Sequence, residues 1–298
     1  MNPEQSRFSK RSKLITALVV FFSLIFTAVI YFYPNLKQTS IFDKTDNSKD
    51  SLTAITENKI IPKKKDKTIY LTFDDGPCTG SRTVMNILKQ EQIQGSFFIV
   101  GLHVCKSSSQ KIIYNEMKEN NQFEIYNHSY SHALRNRFKY FYSQPKTVIH
   151  DFEQCADSVP FTTKIIRLPG RNTWRMETVN FTDIRASKPA ADSLFKHGFL
   201  PMGWDLEWRF TSHSQLVQSG ETMLKEIDTS FARNNTRIGK HLILLTHDRT
   251  FEKPEDSAKL HKFIKDLKSR NMYNFEVVSK YPLLPKDTIG IPKTHVIN

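Results

Sequence analysis

The sequence predicts an α/β fold, a (β/α) barrel of about seven parallel strands, preceded by one transmembrane helix. Three observations predict it. An uncharged apolar run, residues 14–33, lies near the N-terminus. Beyond residue 67, short β-prone runs alternate with amphipathic helical patterns, which requires a parallel sheet covered by helices, and about seven such repeats suggest closure into a barrel. Polar residues stand at the ends of those runs, where such barrels keep their chemistry.

The elements follow in chain order. Residues 1–13 form a basic tail with Arg7, Lys10, Arg11 and Lys13. The run "LITALVVFFSLIFTAVIYFY" that follows has the length of about 20 residues that a helix needs to cross the hydrocarbon layer. It is apolar on every face, and it ends in "VIYFYP" without an A-x-A-like site, so it is read as an uncleaved signal anchor rather than a signal peptide. The basic flank keeps the N-terminus in the cytoplasm and sends the remainder across. This places a single-pass protein in the inner, cytoplasmic membrane with its main domain extracytoplasmic, that is periplasmic. Residues 34–66 shift to Ser, Thr, Asn, Asp and Lys and read as a polar tether.

Residues 67–298 form the remaining domain. Its strands are expected at 68–73, 95–100, 123–128, 164–169, 199–204, 241–247 and 275–279. Between several of them lie helical patterns, such as Val84, Ile87 and Leu88, or Leu260, Phe263, Ile264 and Leu267. Arg171 to about Asp192 fits neither period and is read as a long loop. The 298 residues are 39% hydrophobic, enough for one large core, and 43 Lys+Arg against 30 Asp+Glu give a formal charge of +13. That balance favours an anionic partner, and export across a membrane argues against nucleic acid. Cys78, Cys105 and Cys155 allow one disulfide whose pairing cannot be read.

The chemistry-bearing residues sit at the expected strand ends: Asp74 and Asp75 after the first, His128 after the third, Gly170 after the fourth, Asp205 and Glu207 after the fifth and His247 after the sixth. "HSYSH" spaces His128 and His132 four apart, on one face of a helical turn, although two capping histidines would read the same. Two histidines and one aspartate form the 2-His-1-carboxylate set that leaves coordination positions open. The second aspartate is then free as a base.

In this order "TFDDGP", "HSYSH", "RLPG", "DLEW" and "LLTH" resemble the polysaccharide deacetylases of the NodB-homology type, over about residues 67–298. The resemblance implies a distorted (β/α) barrel that hydrolyses N-acetyl groups from sugars with a divalent metal, zinc first and cobalt or nickel as alternatives. It implies Asp74 as general base, Asp75, His128 and His132 as metal ligands, Arg167 as the partner of the base, the Gly170 N–H as an oxyanion donor and His247 as general acid. Glu207 stands where the family has Asp and would orient His247 on a longer side chain. Trp208 and Leu245 would line an acetyl slot, with core packing an equal alternative. In the loop after Gly170, Trp174 is expected to stack on a sugar, and Arg171 and Arg175 to meet acidic groups, with a disordered or purely structural excursion an equal alternative. The expected substrate is an N-acetylhexosamine polysaccharide of the envelope, peptidoglycan or an exopolysaccharide. An inactive glycan-binding relative and an amidohydrolase of small amides are the rival readings.

Overall fold

The computed structural model describes residues 65–285, residue 214 excepted. The strands are β1 (Lys67–Gly76), β2 (Gly95–Ile99), β3 (Phe123–Asn127), β4 (Ile165–Ile166), β5 (Thr173–Arg175), β6 (Asn180–Thr182), β7 (Leu200–Pro201), β8 (Leu206–Glu207), β9 (His241–His247) and β10 (Tyr273–Phe275). The ring runs β1, β2, β3, β4, β7 on one side and β1, β9, β8 on the other, every pairing parallel. β7 and β8 share no ladder, so the barrel is open along one seam.

Side chains alternate across the ring as a pleated strand requires. On β1, Ile69, Leu71 and Phe73 face outward into one large cluster, while Tyr70 packs in a second, with Phe98, Tyr126 and Ile243. The outer cluster is completed by helices α1 (Thr79–Glu91), α2 (Gly101–Lys106) and α3 (Ser108–Lys118), and by two later helices. Of the remaining helices, α4 (Phe138–Tyr142), α5 (Pro145–Ser158) and α6 (Lys188–Lys196) build a third cluster around Phe152 and Leu194. The later pair, α7 (Gly220–Ala232) and α8 (Pro254–Ser269), delivers Met223, Ile227, Leu260, Phe263 and Ile264 to the outer cluster. Each such buried apolar side chain contributes roughly 1.5–3 kcal/mol, so the helical stripes clamp the ring from outside.

Three expectations are corrected. The seventh ring strand is β8, two residues long, and not the run at 275–279. That region instead forms β10, which pairs with Lys67, Thr68 and Ile69 at the foot of β1, below the stretch that β2 occupies. Residues 171–192 are not an irregular loop: β5 and β6 form an antiparallel hairpin and α6 follows. The buried Arg175 ties this excursion together, donating to the carbonyls of Trp174 (2.7 Å) and Phe181 (2.8 Å), to Thr182 Oγ1 (2.9 Å) and to Asp192 Oδ1 (2.7 Å). It is a structural residue, with its charge already matched. Cys78, Cys105 and Cys155 form no disulfide. The expected anchor helix at 14–33 and the tether up to residue 64 lie outside the described residues. Among the described residues no helix is long and apolar enough to cross a membrane.

Candidate metal centre and active site

The adjacent carboxylates occupy the end of β1, and the backbone there explains how both serve one site. Successive residues of a strand point to opposite faces, so an undisturbed β1 would aim Asp74 inward and Asp75 away. The β1–β2 register shifts between Asp74 and Gly76, and Asp75 has φ 75°. This bulge re-aims Asp75 over the mouth of the barrel, as bulges at barrel rims do.

Asp74 is 2% exposed and pairs with Arg167, which is wholly buried. Arg167 Nη1 donates to Asp74 Oδ1 (2.9 Å) and Thr72 Oγ1 (2.8 Å), Nη2 to the Gly203 carbonyl (2.9 Å) and Nε to the Met202 carbonyl (3.2 Å). The guanidinium also lies 4.0 Å from the Phe98 ring centroid. Burial pushes its pKa down and the Asp74 charge opposes that shift. A planar fork with four oxygen acceptors is fixed in one pose, and so is the carboxylate it holds.

Asp75 Oδ1 lies 3.3 Å from His128 Nε2 and 3.0 Å from His132 Nε2. The ligand atoms of all three residues fall within 4.8 Å of one another. The opposite face of each imidazole is tied down. His128 Nδ1 bonds the Arg167 carbonyl at 2.9 Å, and His132 Nδ1 bonds Asn136 Oδ1. Both partners are oxygens that only accept, so each Nδ1 carries the proton and each Nε2 offers a lone pair to the centre. Asp75 Oδ1 is itself buried without a hydrogen-bond partner. Three electron-pair donors therefore face one another with no proton between them, an arrangement that a divalent cation satisfies. Burial alone would raise the Asp75 pKa, but the two imidazoles outweigh it and hold the carboxyl well below its ordinary range.

His128 and His132 do not share the face of an α-helical turn. Ser129 has φ 69°, and His132, Ala133, Leu134, Arg135 and Asn136 all have φ between 51° and 68°, a left-handed turn. Such a turn costs roughly 1–2 kcal/mol per residue. It is held by Ser131 Oγ, which accepts from the Leu134 N–H at 2.8 Å, and by the His132–Asn136 bond. Replacing the exposed Arg135 by Gly is expected to leave stability unchanged or raise it by up to about 1 kcal/mol in urea melts, because Gly relieves the strained φ. A loss of about 1 kcal/mol, as in a right-handed helix, would contradict the left-handed assignment.

His247 is placed by register, directly across the β1–β9 ladder from Asp74. Its Nδ1 is buried without a partner, and the Phe210 ring packs 4.5 Å from the imidazole centroid. Glu207 stands across from Leu245, two residues short of His247, and makes no hydrogen bond with the unpartnered His247 Nδ1. The expected Glu207–His247 contact is thus not made. Burial raises the Glu207 pKa, with the nearby His247 opposing. Gly170 has φ 62°, and its N–H makes no hydrogen bond among the described residues, which leaves the donor available.

The expected substrate contacts fare unequally. Leu245 alternates with His247 on the inner face of β9 and is 1% exposed. Trp208 follows the inward Glu207 and so turns outward, packing 4.7 Å from Phe263 in the helix-facing core, with its indole N–H donating to the Gln218 carbonyl. It lines no acetyl slot. Trp174 is 0% exposed, plugging the second core cluster beside Tyr281, and its indole N–H bonds Asn172 Oδ1. A Cβ at Gly203 would lie 2.5 Å from that indole nitrogen. Trp174 is thus a core residue and cannot stack on a sugar. Trp174→Ala is expected to cost about 3–5 kcal/mol in stability. Its glycan affinity, measured on the folded fraction, is expected to stay unchanged, and a selective affinity loss at full stability would restore the stacking role.

Sequence reasoning missed several supports. Asn136 and Thr72 hold a candidate ligand and the Asp74 partner. Asp248 is fully buried, accepts from Ser81 Oγ, and is pushed well above the carboxylate range by burial. The only cue in the sequence was spacing: Asn136 lies four residues past His132, and Asp248 directly follows His247. Asp205 staples the β7–β8 connection to β9, accepting from the backbone N–H groups of Arg237 (2.6 Å) and Ile243 (2.8 Å). Burial pushes its carboxyl up to about 6 against those donors. With an unfolded value of about 3.9, the raised folded pKa contributes stability that is fully present below about pH 4 and lost as pH rises through about 6. Asp205→Asn is therefore expected to gain about 2–3 kcal/mol on wild type between pH 4 and 7 in parallel denaturant melts. A difference that does not change with pH would contradict this.

Residues 62–171, which carry Asp74, Asp75, both histidines, Arg167 and Gly170, match the family model described as polysaccharide deacetylase. That segment is similar to the polysaccharide deacetylases. A Bacillus subtilis (strain 168) protein named provisionally as a polysaccharide deacetylase is 23% identical over 191 residues, 61% of this chain and 58% of its own length. The chitin disaccharide deacetylase of Vibrio alginolyticus is 22% identical over 204 residues, 47% of each chain. The chain thus spans about half the length of these curated deacetylases. A Streptococcus mutans CE4 esterase structure superposes with a TM-score of 0.53 at 21% identity, covering 71% of this chain and 86% of that one. This likeness is one of fold.

Proposed function

We propose that this chain is a polysaccharide deacetylase, a metal-dependent hydrolase that removes N-acetyl groups from an N-acetylhexosamine-containing envelope polysaccharide, peptidoglycan or an exopolysaccharide. The observation that carries the reading is the convergence of Asp75 Oδ1, His128 Nε2 and His132 Nε2 beside an independent, Arg-locked carboxylate. Asp75, His128 and His132 would hold a divalent ion, zinc first. When bound, the ion supplies Lewis-acid polarisation of the acetamide carbonyl and acidifies water.

The chain's own groups divide the remaining work. Asp74, held in one orientation by Arg167, takes the proton of the attacking water. The free Gly170 N–H donates to the oxygen on which negative charge develops. His247, across the ladder from Asp74, returns a proton to the departing sugar nitrogen, which leaves as the amine while acetate is released. Leu245 floors the inner face next to His247. The apolar run at 14–33 with its basic flank supports a single-pass anchor in the cytoplasmic membrane and a periplasmic catalytic domain.

One observation favours the second reading, glycan binding without turnover: the His247 Nδ1 lacks the carboxylate partner expected from Glu207. Acetate release separates the two. The purified full chain, incubated with a panel of N-acetylated glycans, is expected to release acetate when metal-loaded and to stop when a chelator is added. Metal uptake without acetate from any glycan would favour the binding protein, and chelator-resistant release would contradict the metal role.

A further inference from the structure

The wall of the metal cluster continues into an open cavity of about 500 Å³, lined by Asn136, Arg137, Phe138, Lys139, Tyr140 and Arg171. We propose that this cavity is an anion subsite, which takes a carboxylate or phosphate substituent carried by the glycan whose acetamide lies at the metal cluster. The proposal deepens the deacetylase reading and rests on it.

Continuity with the reaction centre is the first ground. Asn136 bonds His132, and the Phe138 ring stands 5.9 Å from the His132 ring, edge to face. Phe138 also closes the other border, because a Cβ at Gly170 would lie 3.1 Å from it. The same two residues that flank the metal cluster therefore form the near wall of the cavity. The cavity therefore adjoins the place where the reacting sugar would lie.

Charge is the second ground. Three cations line the cavity and no acid does. Among the described residues, Arg137, Lys139 and Arg171 make no ion pair, whereas Arg82, Arg175 and Arg270 pair with Glu116, Asp192 and Asp228. Three unpaired cations side by side raise the local positive potential, which attracts an anion.

Preorganisation is the third. Arg171 lies over two rings, 5.4 Å from the Phe138 centroid and 5.0 Å from that of Tyr142, and its Nη1 donates to the Gly170 carbonyl at 2.6 Å. Its Nε is buried without a partner. A guanidinium fixed by stacking and by one backbone bond, with its Nη2 making no hydrogen bond among the described residues, is posed for the oxygens of a carboxylate or phosphate. The sequence marked Arg171 for an acidic group; Arg137 and Lys139 join it only through the left-handed turn and α4.

Binding to the metal-free full chain tests this without turnover. Three N-acetylglucosamine oligomers of equal length are titrated calorimetrically: one neutral, one bearing a carboxylate and one bearing a phosphate. At least one anionic oligomer is expected to bind about tenfold or more tightly than the neutral one at low salt, with the advantage shrinking at about 0.5 M salt. The arm with the larger advantage names the group. The advantage is expected to vanish in the Arg137→Gln, Lys139→Gln, Arg171→Gln triple variant and to fall in Lys139→Glu, a single change at an exposed position. Equal affinity for all three oligomers, or an advantage that survives in both variants, would overturn the subsite. Acetate release from the neutral oligomer by metal-loaded protein tests the deacetylase reading separately.

Discussion

Arg167→Met is expected to destabilise the fold by about 3–5 kcal/mol at neutral pH, a large fraction of the stability of a typical domain. The reason lies in what remains. Methionine fills much of the same volume, but Asp74 stays 2% exposed with its cationic partner gone, and Thr72 Oγ1 and the Gly203 and Met202 carbonyls lose their donor. A buried charge left unpaired costs far more than the pair contributes. The double variant Asp74→Asn, Arg167→Met removes the stranded charge, so its loss is expected to be smaller than the sum of the single losses by at least about 2 kcal/mol. Denaturant melts of the four proteins measure this coupling. Losses that simply add would mean that the short Arg167–Asp74 contact carries little energy.

Asp75→Asn is expected to abolish tight metal binding while leaving the fold in place. Asp75 sits at the barrel mouth, away from the main apolar clusters, so its loss removes a ligand without opening a cavity. The expected loss in metal affinity exceeds the roughly 10–100-fold that follows removal of an outer-shell partner. Asn136→Ala supplies that comparison inside the same protein, because Asn136 orients His132 and is not one of the three candidate ligands. Competition titration with a chromophoric chelator, with circular dichroism to confirm folding, ranks the two. An Asn136→Ala loss equal to or larger than that of Asp75→Asn would mean that Asp75 is not a ligand.

Much of the site was legible because its residues lie at the ends of strands whose apolar alternation is local. Asp74, Asp75, His128, Arg167 and His247 each follow or end a run that reads as a strand by itself, and parallel pairing then brings those ends together. The rest depends on contacts distant in sequence. β8 has two residues and β5 and β6 three each, too short for any period to register. The left-handed turn at 132–136 carries no glycine to announce it. An indole suits either an acetyl slot, as expected of Trp208, or a sugar face, as expected of Trp174, but direction is set by strand parity and by the hairpin fold, which turn both side chains into the core. Glu207 has suitable chemistry, yet the ladder seats it opposite Leu245.

The central claim is that Asp75, His128 and His132 share one divalent ion. Anomalous diffraction from crystals of the full chain grown with zinc tests it directly. The account predicts one strong peak within about 2.0–2.2 Å of Asp75 Oδ1, His128 Nε2 and His132 Nε2. A saturated crystal with its metal elsewhere and these three atoms uncoordinated would contradict it.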